Sequence, residues 1–117
     1  MIEDGVQFDA IFADDDLIAL GALSALAAHG QQVPGDVSVV GYGGLPEARF
    51  SRPALTTVDV DFHQQGWLAG VILTRALKER APVAAGQILL EAQLTVRESS
   101  VVQAASGRER LVSQPSL

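Results

Sequence analysis

Apolar and polar positions along the first third of the chain change period twice, and each change predicts an element. Residues 8–13 form a short apolar run, which is typical of a buried strand. Leucines then recur at helical spacing and predict a helix over residues 17–29. Asp15 or Asp16 precedes it as a candidate N-cap, and Gly30 follows as a candidate C-terminal glycine.

The same pattern continues through two more strands. Residues 33–36 read as a turn, and the β-branched run at 37–40 predicts a second strand. A third short strand is predicted at 55–58, after a glycine-rich loop at 41–46 and one helical turn at 47–50. Because a helix separates the first two strands, we expect a βαβ crossover and a parallel sheet, which places the chain in the α/β class.

The last part of the chain changes period once more. Apolar residues from Phe62 to Arg80 mark one face of a long helix, which we expect to end at Ala81-Pro82. Strict alternation over residues 87–97 predicts a half-buried strand. Residues 101–117 lack periodicity, and we interpret them as a flexible tail.

Composition narrows the class of protein. The chain has 117 residues, a net charge of −6 and no cysteine. Such a length fits one domain, and its negative charge disfavours direct binding to nucleic acid. Without cysteine there are no disulfides and no zinc–thiolate sites. No stretch is long and apolar enough to span a membrane, and the acidic start lacks a secretory layout, so we expect a cytoplasmic protein with no membrane partner.

Three groups of residues are candidates for chemistry. Asp14, Asp15 and Asp16 could bind a metal ion, but a helix cap with two solvated neighbours is the much commoner role of such residues, and we expect no metal site. The glycines at 41–44 lack the Gly-Lys-Ser/Thr continuation of a nucleotide loop. No serine lies in a nucleophile elbow, so we expect neither an enzyme nor a cofactor.

Three aromatic residues could serve either a ligand site or the core. Trp67 fits core packing, because a ring of that size buries a large apolar area. Phe62 fits either role, since it lies between the third strand and the long helix. Phe50 lies in the single helical turn.

Several sequence blocks, in order and at matching spacing, resemble the C-terminal part of the effector-binding domain of LacI/GalR-family transcriptional repressors. The resemblance covers about residues 8–100. It rests on Ala-Leu-Gly-Ala-Leu (19–23), Val-Pro-Gly-Asp-Val-Ser-Val-Val-Gly-Tyr (33–42), Pro-Ala-Leu-Thr-Thr-Val (53–58), Phe62 with Gly66, and Leu-Thr-Val-Arg-Glu-Ser-Ser (94–100).

The resemblance implies a parallel-sheet fragment of a two-lobed, periplasmic-binding-protein-like fold, with an effector between the lobes. Residues 1–100 would be the C-terminal portion of the effector-binding and dimerisation domain. The long helix would belong to the other lobe, and the strand at 87–97 would return across the hinge. The DNA-binding helix-turn-helix would lie upstream and is absent from this sequence, so the chain looks like a fragment of a longer repressor.

The resemblance also implies an effector site formed by Asp15, Asp16, Tyr42, Gly43 and Phe62. The family has an Asn-Asp pair where this chain has Asp15-Asp16, and the change replaces an amide that can donate with a carboxylate that accepts. Gly43 stands where the family commonly has an aspartate that binds effector hydroxyls. Phe62 matches a position that often packs against the effector.

A homodimer is the partner that the resemblance implies, together with a sugar-like or nucleoside-like effector. The family's dimer surface corresponds to helix 17–29 and the loop at 44–52. The candidate interface residues are Leu20, Leu23, Ala27, Leu45 and Phe50.

The function expected on this basis is effector sensing within a DNA-binding transcriptional regulator. One alternative is a periplasmic solute-binding protein of a sugar transporter, which an upstream signal peptide would favour. Another is an enzyme of the phosphoacceptor or sugar-modifying kind, which would need a metal-dependent activity lost in Asp15→Asn.

Overall fold

A four-stranded sheet forms the centre of the molecule in a computed structural model that describes residues 5–82 and 86–100. The strands lie side by side in the order β1-β2-β3-β4. The first three run parallel and β4 runs antiparallel to β3. Their bounds are β1 Ala10–Phe12, β2 Ser38–Gly43, β3 Thr56–Val60 and β4 Ala92–Thr95.

Two α-helices and one short 3₁₀ helix connect these strands. Helix α1 spans Asp16–Ala28 and joins β1 to β2, and helix α2 spans Phe62–Glu79 and follows β3. The 3₁₀ helix covers Pro46–Arg49, close to the single turn predicted at 47–50. The predicted α/β class with a parallel βαβ unit is therefore confirmed.

The core lies between α1 and one face of the sheet. Leu26 of α1, Val39 of β2 and Leu55 before β3 are completely buried there. Ala19, a small residue, allows the helix to approach the sheet closely and is also fully buried. This layer holds the carboxyl ends of β2 and β3 in fixed positions beside each other.

Both ends of α1 follow the sequence prediction. The Asp15 carboxylate accepts a hydrogen bond of 2.7 Å from the Leu17 N–H, so Asp15 is the N-cap. At the other end, His29 Nδ1 lies 2.8 Å from the Ala25 carbonyl oxygen, and Gly30 adopts a φ of +73°. That left-handed conformation favours glycine because a Cβ would crowd the backbone.

The prediction of a half-buried strand over residues 87–97 is wrong in the length of the strand and in the burial of its side chains. Regular pairing covers only Ala92–Thr95, and the Leu94 side chain is 61 % exposed. Alternation predicts which side chains share a face, but burial needs a second layer over that face. Among the described residues no such layer covers Leu94.

Helix α2 matches its predicted bounds but not its expected packing. No residue of α2 is buried by the described parts of the chain, and Trp67 is 62 % exposed, so Trp67 is not a core residue here. The helix ends where Arg80 turns left-handed with a φ of 50°, just before Ala81-Pro82. The tail predicted at 101–117 lies outside the described residues.

After β4, residues 97–100 return to the amino ends of β2 and β3, and we call this segment the terminal clamp. The Val39 N–H donates to the Ser99 carbonyl oxygen (2.7 Å), and the Ser99 N–H donates to the Ala54 carbonyl oxygen (2.9 Å). The Ser99 hydroxyl donates to the Val39 carbonyl oxygen (2.6 Å) and accepts from the Thr56 N–H (2.8 Å). The terminal clamp thereby links β2 to β3 at their amino ends, before the residues through which the two strands pair directly.

Neither helix in the described part of the chain has the length and apolar character needed to cross a lipid bilayer.

Candidate functional site

An open cleft of about 820 Å³ lies at the carboxyl ends of β2 and β3, against the start of α2 and the approach to β4. Ligands of open α/β sheets bind at this edge, in the crevice outside the carboxyl ends of the strands. The lining residues are Gly43, Gly44, Leu45, Pro46, Asp59, Val60, Asp61, Phe62, Gln64, Leu89, Leu90, Glu91 and Gln93.

Two glycines form one wall of the cleft and need their lack of a side chain. Gly43 has a φ of +128° and Gly44 a φ of +75°, conformations that L-residues with side chains rarely adopt. A Cβ on Gly44 would overlap the Asp59 carboxylate. A Cβ on Gly43 would lie 3.7 Å from the Phe62 ring. Gly44 therefore allows the Asp59 carboxylate to approach this wall, while Gly43 is favoured by its backbone conformation.

The opposite wall begins with the first turn of α2. The Asp61 carboxylate caps this helix by accepting from the Gln64 N–H at 2.7 Å. Phe62 is the first helical residue, and its ring lines the cleft while remaining 54 % exposed. The cap thus fixes the point from which Phe62 extends.

The polar groups on the cleft are hydrogen-bond acceptors and amides. Carboxylates come from Asp59, Asp61 and Glu91, and amides come from Gln64 and Gln93. Lysine and arginine do not occur among the described lining residues. Acceptors placed around an aromatic ring suit a ligand that carries several hydroxyl groups and has an apolar face.

Asp16 lies beneath the glycine wall and does not line the cleft. Its side chain is completely buried, and it accepts hydrogen bonds from the Thr57 hydroxyl (2.5 Å) and the Leu45 N–H (2.7 Å). These two bonds link the start of α1 to β3 and to the loop after β2.

The structure brings two of the five candidate effector residues to the cleft, Gly43 and Phe62. Asp15 is exposed and caps α1, while Asp16 is buried behind the wall. Tyr42 alternates along β2 with Gly41 and Gly43, so its side chain, 39 % exposed, lies on the other face of the sheet.

The candidate dimer residues differ in how accessible they are. Leu23 is 7 % exposed and belongs to the core, and Leu20 packs partly against that core. Leu45 is half-buried and lines the cleft. Ala27 is exposed, and Phe50 is 77 % exposed, so these two are available to a partner.

Several cleft residues escaped sequence analysis, chiefly Asp59, Asp61, Gln64 and Gln93. The first two could have been found, because they follow a predicted strand at the sheet edge where ligands bind. Gln93 could not, since its position depends on β4 pairing with β3, where Asp59 lies opposite Gln93. In the described part of the chain no cluster of three or more acidic or histidine side chains is arranged to hold a metal ion.

Comparison with known proteins places this geometry in a family. The model of the periplasmic binding protein-like domain matches residues 3–100. The ribose operon repressor of Halalkalibacterium halodurans is 30 % identical over 100 residues, which cover 86 % of this chain and 30 % of the repressor. It is a regulator by name, not an enzyme.

Two solved structures have the same fold over most of the chain. The transcriptional regulator CelR in complex with cellobiose gives a TM-score of 0.75 at 35 % identity, covering 80 % of this chain and 28 % of CelR. The dimeric Lac repressor with an 11-residue C-terminal deletion gives a TM-score of 0.77 at 31 % identity, covering 86 % of this chain and 36 % of the repressor.

The chain spans about a third of the length of these relatives. The chain therefore belongs to the family of periplasmic-binding-protein-like domains, and its sequence and fold are similar to those of LacI-family transcriptional regulators.

Proposed function

We propose that this chain is the effector-sensing part of a transcriptional regulator and that its cleft binds a small, hydroxyl-rich metabolite, sugar-like or nucleoside-like. One observation carries the proposal: the cleft at the carboxyl ends of β2 and β3 surrounds an exposed Phe62 ring with carboxylates and amides. The CelR relative has a sugar, cellobiose, in its complex.

The chemistry of the cleft fits such a ligand. Carboxylate oxygens accept hydrogen bonds from hydroxyl groups, and amides both donate and accept, so together they fix the orientation of a polyol. The Phe62 ring offers a flat apolar surface to the C–H face of a sugar or to a base. Affinity then comes from ring burial, and selectivity comes from the polar groups around it.

Asp59 is proposed to supply the acceptor that Gly43 lacks. The family's aspartate at position 43 is replaced by glycine, but the Asp59 carboxylate occupies the space beside Gly44 that a side chain there would need. A hydroxyl group of the ligand can then be bound from β3 instead of from the end of β2.

Regulation of DNA binding is proposed to follow from a shift between open and closed arrangements of the two lobes. A ligand changes such an equilibrium only by binding one state more tightly, and a tenfold preference corresponds to about 1.4 kcal/mol. One or two well-placed hydrogen bonds supply that amount. The effect on DNA is proposed to pass through a helix-turn-helix domain of the full-length protein, within a cytoplasmic homodimer.

The dimer is proposed to use the exposed face of α1 and the loop that carries Phe50. Leu17 and Ile18 are 61 % and 58 % exposed, and Phe50 is 77 % exposed. Large apolar side chains left exposed on a surface favour association with a partner. The Lac repressor relative is dimeric by its description.

A solute-binding protein for transport is the weaker alternative, because the relatives reported above are regulators and repressors by name.

Isothermal titration calorimetry of the full-length protein with D-ribose, cellobiose, adenosine and guanosine tests the proposal. We expect one of them to bind, and Phe62→Ala to weaken that binding by about tenfold through loss of ring contact. The matched control is Phe12→Ala, which removes a ring that is 65 % exposed, against 54 % for Phe62, and does not line the cleft. The proposal fails if none of the four binds, or if the two variants weaken binding equally.

A further inference from the structure

The Asp16 carboxylate is placed where a ligand cannot reach it, yet each of its oxygens bonds to a segment of the cleft. Oδ1 accepts from the Thr57 hydroxyl of β3 at 2.5 Å, and Oδ2 accepts from the Leu45 N–H at 2.7 Å. The residue itself is 0 % exposed. Asp16 is therefore joined to two segments that are 29 and 41 residues away along the chain.

A second link runs from the same group to the glycine wall. The Thr57 hydroxyl, which donates to Asp16, also accepts from the Gly44 N–H at 3.4 Å. On the other side, Asp16 Oδ2 lies 3.8 Å from the place that a Cβ on Gly43 would occupy. Asp16 thus lies directly behind Gly43, Gly44 and Leu45.

The cost of burying a carboxylate explains why the hydrogen bonds of Asp16 hold these segments in place. A carboxylate in the interior is costly unless donors surround it, and loss of either donor leaves an unsatisfied buried oxygen. The Leu45 N–H and the Thr57 hydroxyl are those donors. The Gly43–Leu45 segment cannot move outward without breaking a charge-assisted hydrogen bond, so its position is tied to Asp16.

We propose that Asp16 is a positioning residue, which holds the Gly43–Leu45 wall in its ligand-binding conformation without touching the ligand. Because Asp16 is also the first residue of α1, movement of the wall is transmitted to the turn that exposes Leu17 and Ile18. The inference rests on the proposed binding of a metabolite in the cleft, and it adds the route by which occupancy reaches the helix.

Residue-resolved hydrogen exchange, measured by NMR on the full-length protein without ligand, tests the link itself. Asp16→Asn keeps the size of the side chain but offers only one acceptor oxygen, so we expect the Leu45 amide to exchange about tenfold faster. The Val39 amide, bonded to Ser99 in the core, reports whether the fold is intact and is expected to keep its protection. Asp14→Asn removes an exposed charge two residues away and serves as the matched control.

Thr57 provides a second pair of variants in case Asp16→Asn does not fold. Thr57→Ser keeps the hydroxyl donor and should leave the exchange of Leu45 and Gly44 unchanged. Thr57→Val keeps the shape but removes the hydroxyl, which donates to Asp16 and accepts from the Gly44 N–H, so it should raise the exchange of the Gly44 amide. A difference in amide exchange between Thr57→Ser and Thr57→Val separates the effect of the hydroxyl group from the effect of side-chain packing.

Calorimetry with D-ribose, cellobiose, adenosine and guanosine then measures the consequence for binding. For the ligand that binds, we expect Asp16→Asn and Thr57→Val to weaken the affinity by about tenfold, with the affinity of Asp14→Asn and Thr57→Ser unchanged. Unchanged Leu45 exchange in Asp16→Asn, or unchanged affinity despite faster exchange, overturns the positioning role. If the unmodified protein binds none of the four ligands, the proposed function fails, while the exchange data still decide whether Asp16 holds the wall.

Discussion

Gly41 has little space around it, because it lies where β2 passes beneath the start of α1. A Cβ at this position would overlap Asp16 Oδ1 and would lie 3.1 Å from Leu55 Cδ2 and 3.2 Å from Ala19 Cβ. All three neighbours are completely buried. None of them can move aside without disturbing the packing of α1 on the sheet.

We expect Gly41→Ala to lower the free energy of unfolding by about 1–3 kcal/mol, because the added methyl group overpacks the core. The control is Gly21→Ala in the middle of α1, where a Cβ has nothing within 4 Å. That change should raise stability by about 0.5–1 kcal/mol, since alanine is the better helix former. Urea denaturation followed by circular dichroism measures both. Equal effects of the two substitutions would contradict this account of Gly41.

At the residue level, the sequence predicted part of the site for a physical reason. Phe62 could be placed because it lies at the junction between β3 and α2, whereas Gly43 was identified through the resemblance to the family. Three adjacent aspartates could not be told apart. Asp15 caps α1 in solvent while Asp16 is buried, and the difference depends on Thr57, which lies 41 residues later.

The terminal clamp stabilises the sheet at the level of whole elements. It places a backbone segment between the amino ends of β2 and β3, and the Ser99 hydroxyl satisfies one group of each strand. Arg97 adds a hydrogen bond of 2.6 Å from its guanidinium to the Leu55 carbonyl oxygen. The clamp therefore fixes one end of β4 to the same strands that carry the cleft.

We expect Ser99→Ala to reduce the free energy of unfolding by about 1–3 kcal/mol, because the buried Thr56 N–H then has no acceptor. Ser24→Ala, on the exposed surface of α1, is the matched control and should change stability by less than about 0.5 kcal/mol. Thermal and urea unfolding give both values. A loss no larger than that of the control would show that Ser99 is not needed to satisfy these strands.

Element bounds were better predicted than element burial. The periodicity gave α2 almost residue for residue, because caps and helical spacing are local properties. The exposure of its apolar face follows only from the resemblance, which places α2 in the other lobe, since burial depends on which other layers cover a face. Strand β4 shows the same distinction. Residues Ala92–Thr95 form part of the predicted strand, but the described residues do not cover the side of it that carries Leu94.

Within the described residues, large apolar side chains are exposed on several elements outside the core. On α2, Trp67, Leu73 and Leu77 are 62 %, 56 % and 71 % exposed. Phe50 on the α1 side and Leu89 before β4 are 77 % and 81 % exposed. Exposed apolar patches of this extent drive association in water.

We therefore expect the 117-residue chain to self-associate, which sedimentation velocity over a range of concentrations measures. Leu73→Gln should weaken association through α2, and Phe50→Ser should weaken the proposed dimer on the α1 side. Arg75→Gln, an exposed polar change on α2, is the control and should have little effect. A single monomeric species with cooperative unfolding at all concentrations would contradict the prediction.

The outer strands of the sheet are short, three residues in β1 and four in β4. A strand of that length presents few free N–H and C=O groups along its border, so it is a poor template for adding further strands from other molecules. When copies of this chain meet, contacts between side chains are therefore favoured over backbone zippering. The folded sheet therefore gives little support to growth of a continuous sheet across neighbouring molecules, although apolar side chains are exposed elsewhere on the surface.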